Sequence, residues 1–209
     1  MSTARKYVSP TREADAAATR ARIVDAAARL YIRDGFAATP MRAIAAEAGV
    51  SVQSVHLAGP KSALLLAAFE RTFAGDEGRH PLSERPEMAA ILAETDTAVT
   101  LALYVEFIAA ANERSAPIWN ALVAAADADE QARAAANDLE ARRRAEMVGG
   151  AHLLLSRGLI APDAIAETAD VLGFLTAPQT FVYFVRDSGW SVEKYRTWLR
   201  HSIERLIIS

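Results

Sequence analysis

The chain has 209 residues, no cysteine, and 52% hydrophobic residues. Disulfide and thiolate chemistry are excluded, an intracellular setting is favoured, and there is enough apolar material for one large or two small cores. The net charge of −3 is unevenly divided: residues 1–75 hold 10 Lys/Arg and 6 Asp/Glu, whereas residues 76–209 hold 13 and 20. A basic front on an acidic body suits a protein that turns one end toward phosphates. Alanine dominates and no segment alternates between apolar and polar, so the expected class is all-α. No apolar run approaches the roughly 18 residues of a membrane span, and the first residues lack a signal-peptide core. The expectation is a cytoplasmic protein.

In chain order, residues 1–18 are polar and carry Arg5, Lys6 and Arg12. They read as a flexible N-terminal arm. A helix follows from Thr19 to Asp34, with Ile23, Ala27, Leu30 and Tyr31 on one stripe and Gly35 ending it. Thr39 to Lys61 then specify a helix, a tight turn and a second helix. Thr39 is the expected N-cap, Pro40 the first helical position, and Met41, Ile44, Ala45 and Ala48 the buried face. Gly49 suits a left-handed helix end, Val50 anchors the turn, and Ser51 caps the next helix. Two short helices joined this tightly must cross steeply, leaving Val52, Gln53, Ser54 and His56 outside the core, as in a helix-turn-helix that reads a major groove.

Pro60 starts an apolar helix that ends near Gly75, and the Gly-, Pro- and charge-rich stretch 75–86 reads as a domain boundary. Beyond it the pattern predicts helices over residues 86–94, 96–113, 116–126, 128–157, 163–186 and 191–208, with Pro178 kinking or interrupting the fifth. The expected organisation is an arm (1–18), a three-helix DNA-binding domain with a linking helix (19–75), and a helical ligand-binding and dimerisation domain (76–209).

The ordered run Ile23 to Leu30, Gly35-Phe36, Thr39, Arg42-Ala43-Ile44-Ala45, Ala48-Gly49-Val50-Ser51, Ser54-Val55 and Lys61 before Leu64-Leu65 resembles the tetracycline-repressor (TetR) family of bacterial transcriptional regulators. The stretches Thr176-Ala177-Pro178, Gly189-Trp190-Ser191 and Trp198-Leu199 are similar to the last two helices of many members. One departure is plain. The family usually has Y-x-x-F-x-x-K after the recognition helix, whereas His56-Leu57-Ala58-Gly59-Pro60-Lys61 is one residue shorter and lacks the Phe.

The resemblance implies a regulator that binds a double-stranded operator as a homodimer, most relatives being repressors, and it implies DNA contacts at Thr39, Arg42, Ser51 and Lys61. Side-chain chemistry permits base readout by Gln53 on adenine, by Ser54 on several bases and by Val52 on a thymine methyl, while His56 can donate to a phosphate. The expected dimer helices are 163–186 and 191–208, through Leu172, Leu175, Phe181, Phe184 and Val185 on one and Tyr195, Trp198, Leu199, Ile203, Leu206 and Ile207 on the other. Tyr104, Phe107, Ile108, Trp119, Leu122, Met147, Leu154, Phe174 and Phe181 are candidates to line an apolar effector cavity, with Glu106, Asn112, His152 and Gln179 as polar candidates.

Other classes fit less well. The four His (His56, His80, His152, His201) show no H-x-x-x-H or E-x-x-H spacing, and no serine has a recognisable elbow or base, so an enzyme, a cofactor or a metal is not expected. Asp127, Asp129 and Glu130 read as a solvated loop, and Arg142-Arg143-Arg144, pointing in different directions on a helix, as solvated surface. The alternative function is a dimeric small-molecule-binding protein that has lost specific DNA recognition, which the shortened His56–Lys61 segment makes conceivable.

Overall fold

A computed structural model describes residues 10–78 and 80–208, with side chains from residue 14 onward. The described residues form α-helices with short 3-10 and π turns and no strand. The first four helices are α1 (Pro10–Asp34), α2 (Met41–Ala48), α3 (Val52–Ala58) and α4 (Lys61–Ala74). The body holds α5 (Pro86–Ala93), α6 (Thr97–Ala128), α7 (Glu130–Ser156), α8 (Ile165–Leu175), α9 (Pro178–Phe181), which continues as a π turn over Val182–Asp187, and α10 (Val192–Leu206). Among the described residues no helix is long and apolar enough to cross a membrane.

Two boundaries differ from the sequence reading for physical reasons. Residues 10–18, expected in the arm, are the first turns of α1. Pro10 is suited to a first helical position, acidic residues follow it, and Ala16–Ala18 are strong helix formers. Arg5 and Lys6 lie outside the described residues, as does the side chain of Arg12. The helices expected at 96–113 and 116–126 are a single 32-residue helix with Pro117 inside it. Proline removes one backbone donor and normally interrupts a helix, but here packing on both sides carries α6 through.

That packing explains the architecture. The first core joins Ile23, Val24, Leu30 and Tyr31 of α1 to Ile44, Val55, Leu64 and Leu65, and it also takes Ile118, Leu122 and Ala125 from α6 and Ala132 and Leu139 from α7. A second core gathers Met88, Leu101, Val105, Ile108, Leu172, Phe181, Tyr195, Leu199 and Ile203. Pro117 falls at the join, so α6 belongs to the second core before it and to the first core after it. The front helices therefore rest on the far half of α6 as well as on α4. Arg114, just before the join, donates from Nη2 to the carbonyl of Phe73 (3.1 Å) and ties α6 to the end of α4.

At the other end, the expected helix 163–186 is interrupted at Thr176-Ala177 before Pro178, and α9 turns back into the core. Phe181 meets Tyr195 edge-on, with ring centroids 5.1 Å apart at 83°. The Tyr195 hydroxyl donates to the Leu175 carbonyl (3.3 Å), and burial pushes its pKa above the ordinary tyrosine value.

Candidate nucleic-acid interface and internal cavity

The α2–α3 turn follows from local chemistry. Gly49 has φ 64°, the left-handed region that favours glycine, and the Val50 N–H reaches the Ala45 carbonyl at 3.0 Å. Ser51 Oγ accepts from the Ser54 N–H (3.1 Å) and caps α3. Val55 is the buried side chain of this helix. Val52, Gln53, His56 and Leu57 form its exposed arc, Ser54 is half-buried, and α3 carries no Asp, Glu, Lys or Arg. A second left-handed-side glycine, Gly59 at φ 135°, ends α3 and lets the chain turn directly into Pro60.

The flanking residues divide. Arg42 is exposed at the start of α2. Lys61 Nζ donates to the Ala37 carbonyl (3.3 Å) and lies 4.3 Å above the Phe36 ring. Partial burial lowers its pKa below the usual lysine value, with Asp129 pulling the other way. Thr39 is a correction: it is 1% exposed, and its hydroxyl donates inward to the Gly35 carbonyl at 2.8 Å. The N-cap is Pro40, which makes no side-chain cap bond. A buried, committed hydroxyl has nothing to offer a phosphate, so Thr39 anchors the α1–α2 turn.

Between α4 and the body lies a partly open cavity of about 530 Å³ lined by Phe69, Phe73, Leu101, Tyr104, Ile108 and Met147 among others. Most of its wall is aliphatic or aromatic, and the volume is that of a site for a drug-sized molecule. Of the residues expected there, Tyr104, Ile108, Met147 and Leu154 line it. Tyr104 is half-buried on this wall, and desolvation raises its pKa although Arg143 and a hydrogen bond with Thr176 oppose this.

The remaining candidates sit elsewhere. Trp119 packs on Phe69 in the first core with ring centroids 5.6 Å apart, and Leu122 is buried in the same core, because both follow Pro117. Phe107 and Phe181 are buried in the second core away from the cavity wall, and Phe174 is 66% exposed on the outer face of α8. Among the polar candidates, Glu106 pairs with Arg196 (3.0 Å), Asn112 donates to the Thr176 carbonyl (3.1 Å), and His152 and Gln179 are exposed.

What the pattern missed is the strap. Residues 75–86, read as a boundary, form one wall of the cavity through Gly78, His80, Pro81, Leu82, Ser83 and Arg85. Glu146 of α7 accepts from the Leu82 N–H (2.6 Å) and the Ser83 N–H (3.4 Å). Glu70 pairs with Arg142 (2.6 Å) and accepts from the Gly78 N–H (3.3 Å). Arg20 of α1 joins the strap to the other site: it pairs with Glu77 at 2.7 Å and donates to the carbonyl of Ala58, the last residue of α3. Proline and glycine marked this stretch as irregular but carried no sign of what it would lie against.

The outer faces of α8 and α10 leave Val171, Phe174, Trp198 and Leu206 around a shallow apolar depression edged by Glu167 and Asp170. Of the expected dimer residues, Leu172, Leu175, Phe181, Tyr195, Leu199, Ile203 and Ile207 instead complete the monomer core.

Comparison with known proteins follows the same division. Residues 23–68 match the model for bacterial regulatory proteins of the tetR family. No curated protein matches the chain. An assigned transcriptional regulator from Saccharomonospora viridis, solved in complex with choline, aligns over 92% of this chain and 98% of its own, at 22% identity and a TM-score of 0.67. An assigned regulator from Pseudomonas aeruginosa aligns over 95% and 92%, at 20% identity and TM-score 0.68. A chain from Mesorhizobium loti assigned to the TetR family aligns over 90% and 95%, at 23% identity and TM-score 0.67. These three share the fold over nearly the whole length. The family match thus falls on α2, α3 and the turn between them with parts of α1 and α4, and the whole chain shares the fold of the three solved structures.

Proposed function

We propose that the protein is a homodimeric repressor that binds a palindromic operator through α3 and is released when a small, largely apolar ligand occupies the cavity. The observation that carries this reading is the continuity between the two sites: Arg20 holds Glu77 of the cavity strap and the last carbonyl of α3 together. A ligand that shifts the strap then shifts the end of the recognition helix, and it favours the arrangement whose two helices are wrongly spaced for the operator. Two copies are needed because a seven-residue recognition helix buries too little surface for tight specific binding, and the apolar faces of α8 and α10 supply the dimer contact.

On DNA, Gln53, Ser54 and Val52 meet base edges, and Arg42, Ser51, His56 and Lys61 meet the backbone. In the cavity, Tyr104, Ile108 and Met147 take the apolar ligand, with the Tyr104 hydroxyl at its polar side.

The test is selection from random duplexes at moderate and raised salt, with sequencing of the bound pool. Enrichment of an inverted repeat is the expected result, and weak binding that is sequence-blind and erased by salt would reject the reading. On the selected operator, Gln53→Ala is expected to cost about 1–3 kcal/mol and relax preference at one position, whereas Lys61→Ala weakens cognate and random DNA alike and lowers the salt slope by about one. Equal losses on both kinds of DNA in both variants would reject that division of labour.

The strap is testable without knowing the ligand. Operator binding is expected to increase hydrogen-exchange protection over residues 76–85, and Arg20→Ala is expected to remove that response while operator affinity falls by less than about tenfold, since an Arg20 that is 40% exposed contributes little on its own. Unchanged strap protection in the wild type would show that the two sites are not joined by this route. Choline, present in the structure of the Saccharomonospora viridis protein, is the first compound to titrate against the operator complex.

A further inference from the structure

We propose that Leu57 is a specificity-determining residue that reads the methyl group of a thymine in the major groove, an inference that rests on the operator-binding reading above. Leu57 is 81% exposed, more than any other large hydrophobic side chain among the described residues. A solitary exposed leucine is ordinary on a protein surface. This one belongs to the outer arc of α3, one turn beyond Gln53, with Val52, 42% exposed, near the other edge of the arc.

The surface between them holds Gln53 and His56 and no formal charge. The helix therefore presents an apolar edge, a polar centre and an apolar edge, with no carboxylate to repel the DNA. The one apolar group that a base displays in the major groove is the C5-methyl of thymine. An exposed apolar tip on this arc has no other partner of its own kind there.

Position along the helix agrees. Four residues of helix advance about 6 Å, and successive base pairs are about 3.4 Å apart, so Leu57 addresses a base one or two steps from the one that Gln53 addresses. The helix cannot carry the reading further. Ala58 is half-buried with its carbonyl held by Arg20, Gly59 breaks the helix at φ 135°, and Pro60 begins the approach to α4. Leu57 is thus the last side chain of the outer arc.

The experiment uses the full-length protein and the duplex enriched by selection, with each thymine of one half-site replaced in turn by deoxyuridine, which lacks the methyl and changes nothing else on the base edge. At the thymine that Leu57 meets, apart from any that Val52 reads, the wild type is expected to lose about fourfold in affinity, the equivalent of one buried methyl group. Leu57→Ala is expected to bind thymine and uracil equally at that position and to respond as the wild type does elsewhere. Because the side chain is exposed, the variant should keep the wild-type melting temperature, and a matching melt excludes loss of fold as the cause.

A uracil penalty of the same size in wild type and Leu57→Ala, or no penalty at any thymine, overturns the assignment while leaving operator binding intact. Failure of the wild type to enrich any repeat overturns operator binding, and this inference falls with it. Recovery of the same binding by Leu57→Ala on every substituted duplex would place Leu57 outside the DNA interface and also overturn the proposal.

Discussion

Replacing Val55 by aspartate is expected to abolish sequence-specific DNA binding and to lower stability by about 3–5 kcal/mol, the range for an uncompensated buried charge. The argument starts from length. With seven residues, α3 is far shorter than a helix that persists alone in water, so its position comes from packing and from its caps. Val55 is its one buried side chain, with no exposed surface, and it meets the first core alongside Ile44, Leu64 and Leu65. An aspartate there has two options. It stays inside as an unpaired carboxylate, or the helix rotates outward and carries Gln53 and Leu57 off the DNA face. Either way the melting temperature should drop by about 10 °C for a chain of this size, and fluorescence anisotropy should detect no distinction between operator and random duplex. Val55→Ala, which leaves a small cavity but no charge, is the graded control at about 2 kcal/mol. Operator affinity within twofold of wild type in Val55→Asp would show that α3 is held by something other than this contact.

The second large effect lies at the opposite end of the molecule. Phe181→Ala is expected to cost about 3–5 kcal/mol from cavity formation, with about 1 kcal/mol of this order added by the lost edge-to-face pair with Tyr195. Both rings are fully buried, and through them α9 is pinned to α10. α9 also packs on α6 through its buried face, and the aromatic contact adds the tie to α10, so the truncated variant should loosen α9 and the π turn that follows. Differential scanning calorimetry should show a fall of about 10 °C or more, and sedimentation should show weakened self-association, since α8 and α10 carry the proposed dimer face. A thermal midpoint within about 2 °C of wild type would mean that the cavity left by Phe181 is filled by its neighbours at little cost.

Much of the front of the protein was legible before any coordinates. Gly49, Val50 and Ser51 specify a turn because each has a local job, and a local job leaves a local mark: a left-handed glycine, an apolar anchor, a capping hydroxyl. The spacing of Met41, Ile44, Ala45 and Ala48 identified the inner face of α2 for the same reason, with Met41 half-buried at its edge. Thr39 failed under the same reasoning. Threonine before proline reads as a cap, but its hydroxyl turns inward and donates to the Gly35 carbonyl, and whether it does so or accepts from the N–H groups of α2 depends on how α1 and α2 cross.

The aromatic candidates for the cavity divide by a feature that periodicity could not supply. Tyr104 and Ile108 precede Pro117 and face the cavity, while Trp119 and Leu122 follow it and face the first core. Nothing in their residue types distinguishes them, since all four are large, apolar and at helical spacing. Their fates are decided by what lies opposite α6 at each height. The same holds for Phe174 and Phe181, seven residues apart, one exposed and one fully buried because the chain breaks at Thr176-Ala177 between them.

By itself the sequence determined the helical class, the helix-turn-helix, the glycine and proline breaks and most helix ends, all of which arise from interactions within about a turn or two of chain. Only the tertiary structure decided that α6 runs unbroken through both cores, that residues 75–86 wall a cavity, and that Arg20 joins this wall to the end of α3. These depend on partners 38 to 57 residues distant in the chain, as Arg20 is from Ala58 and Glu77. A guanidinium on a helix surface has the same local energetics whether it meets water or a distant carbonyl, so its neighbours in sequence hold no record of which it will find.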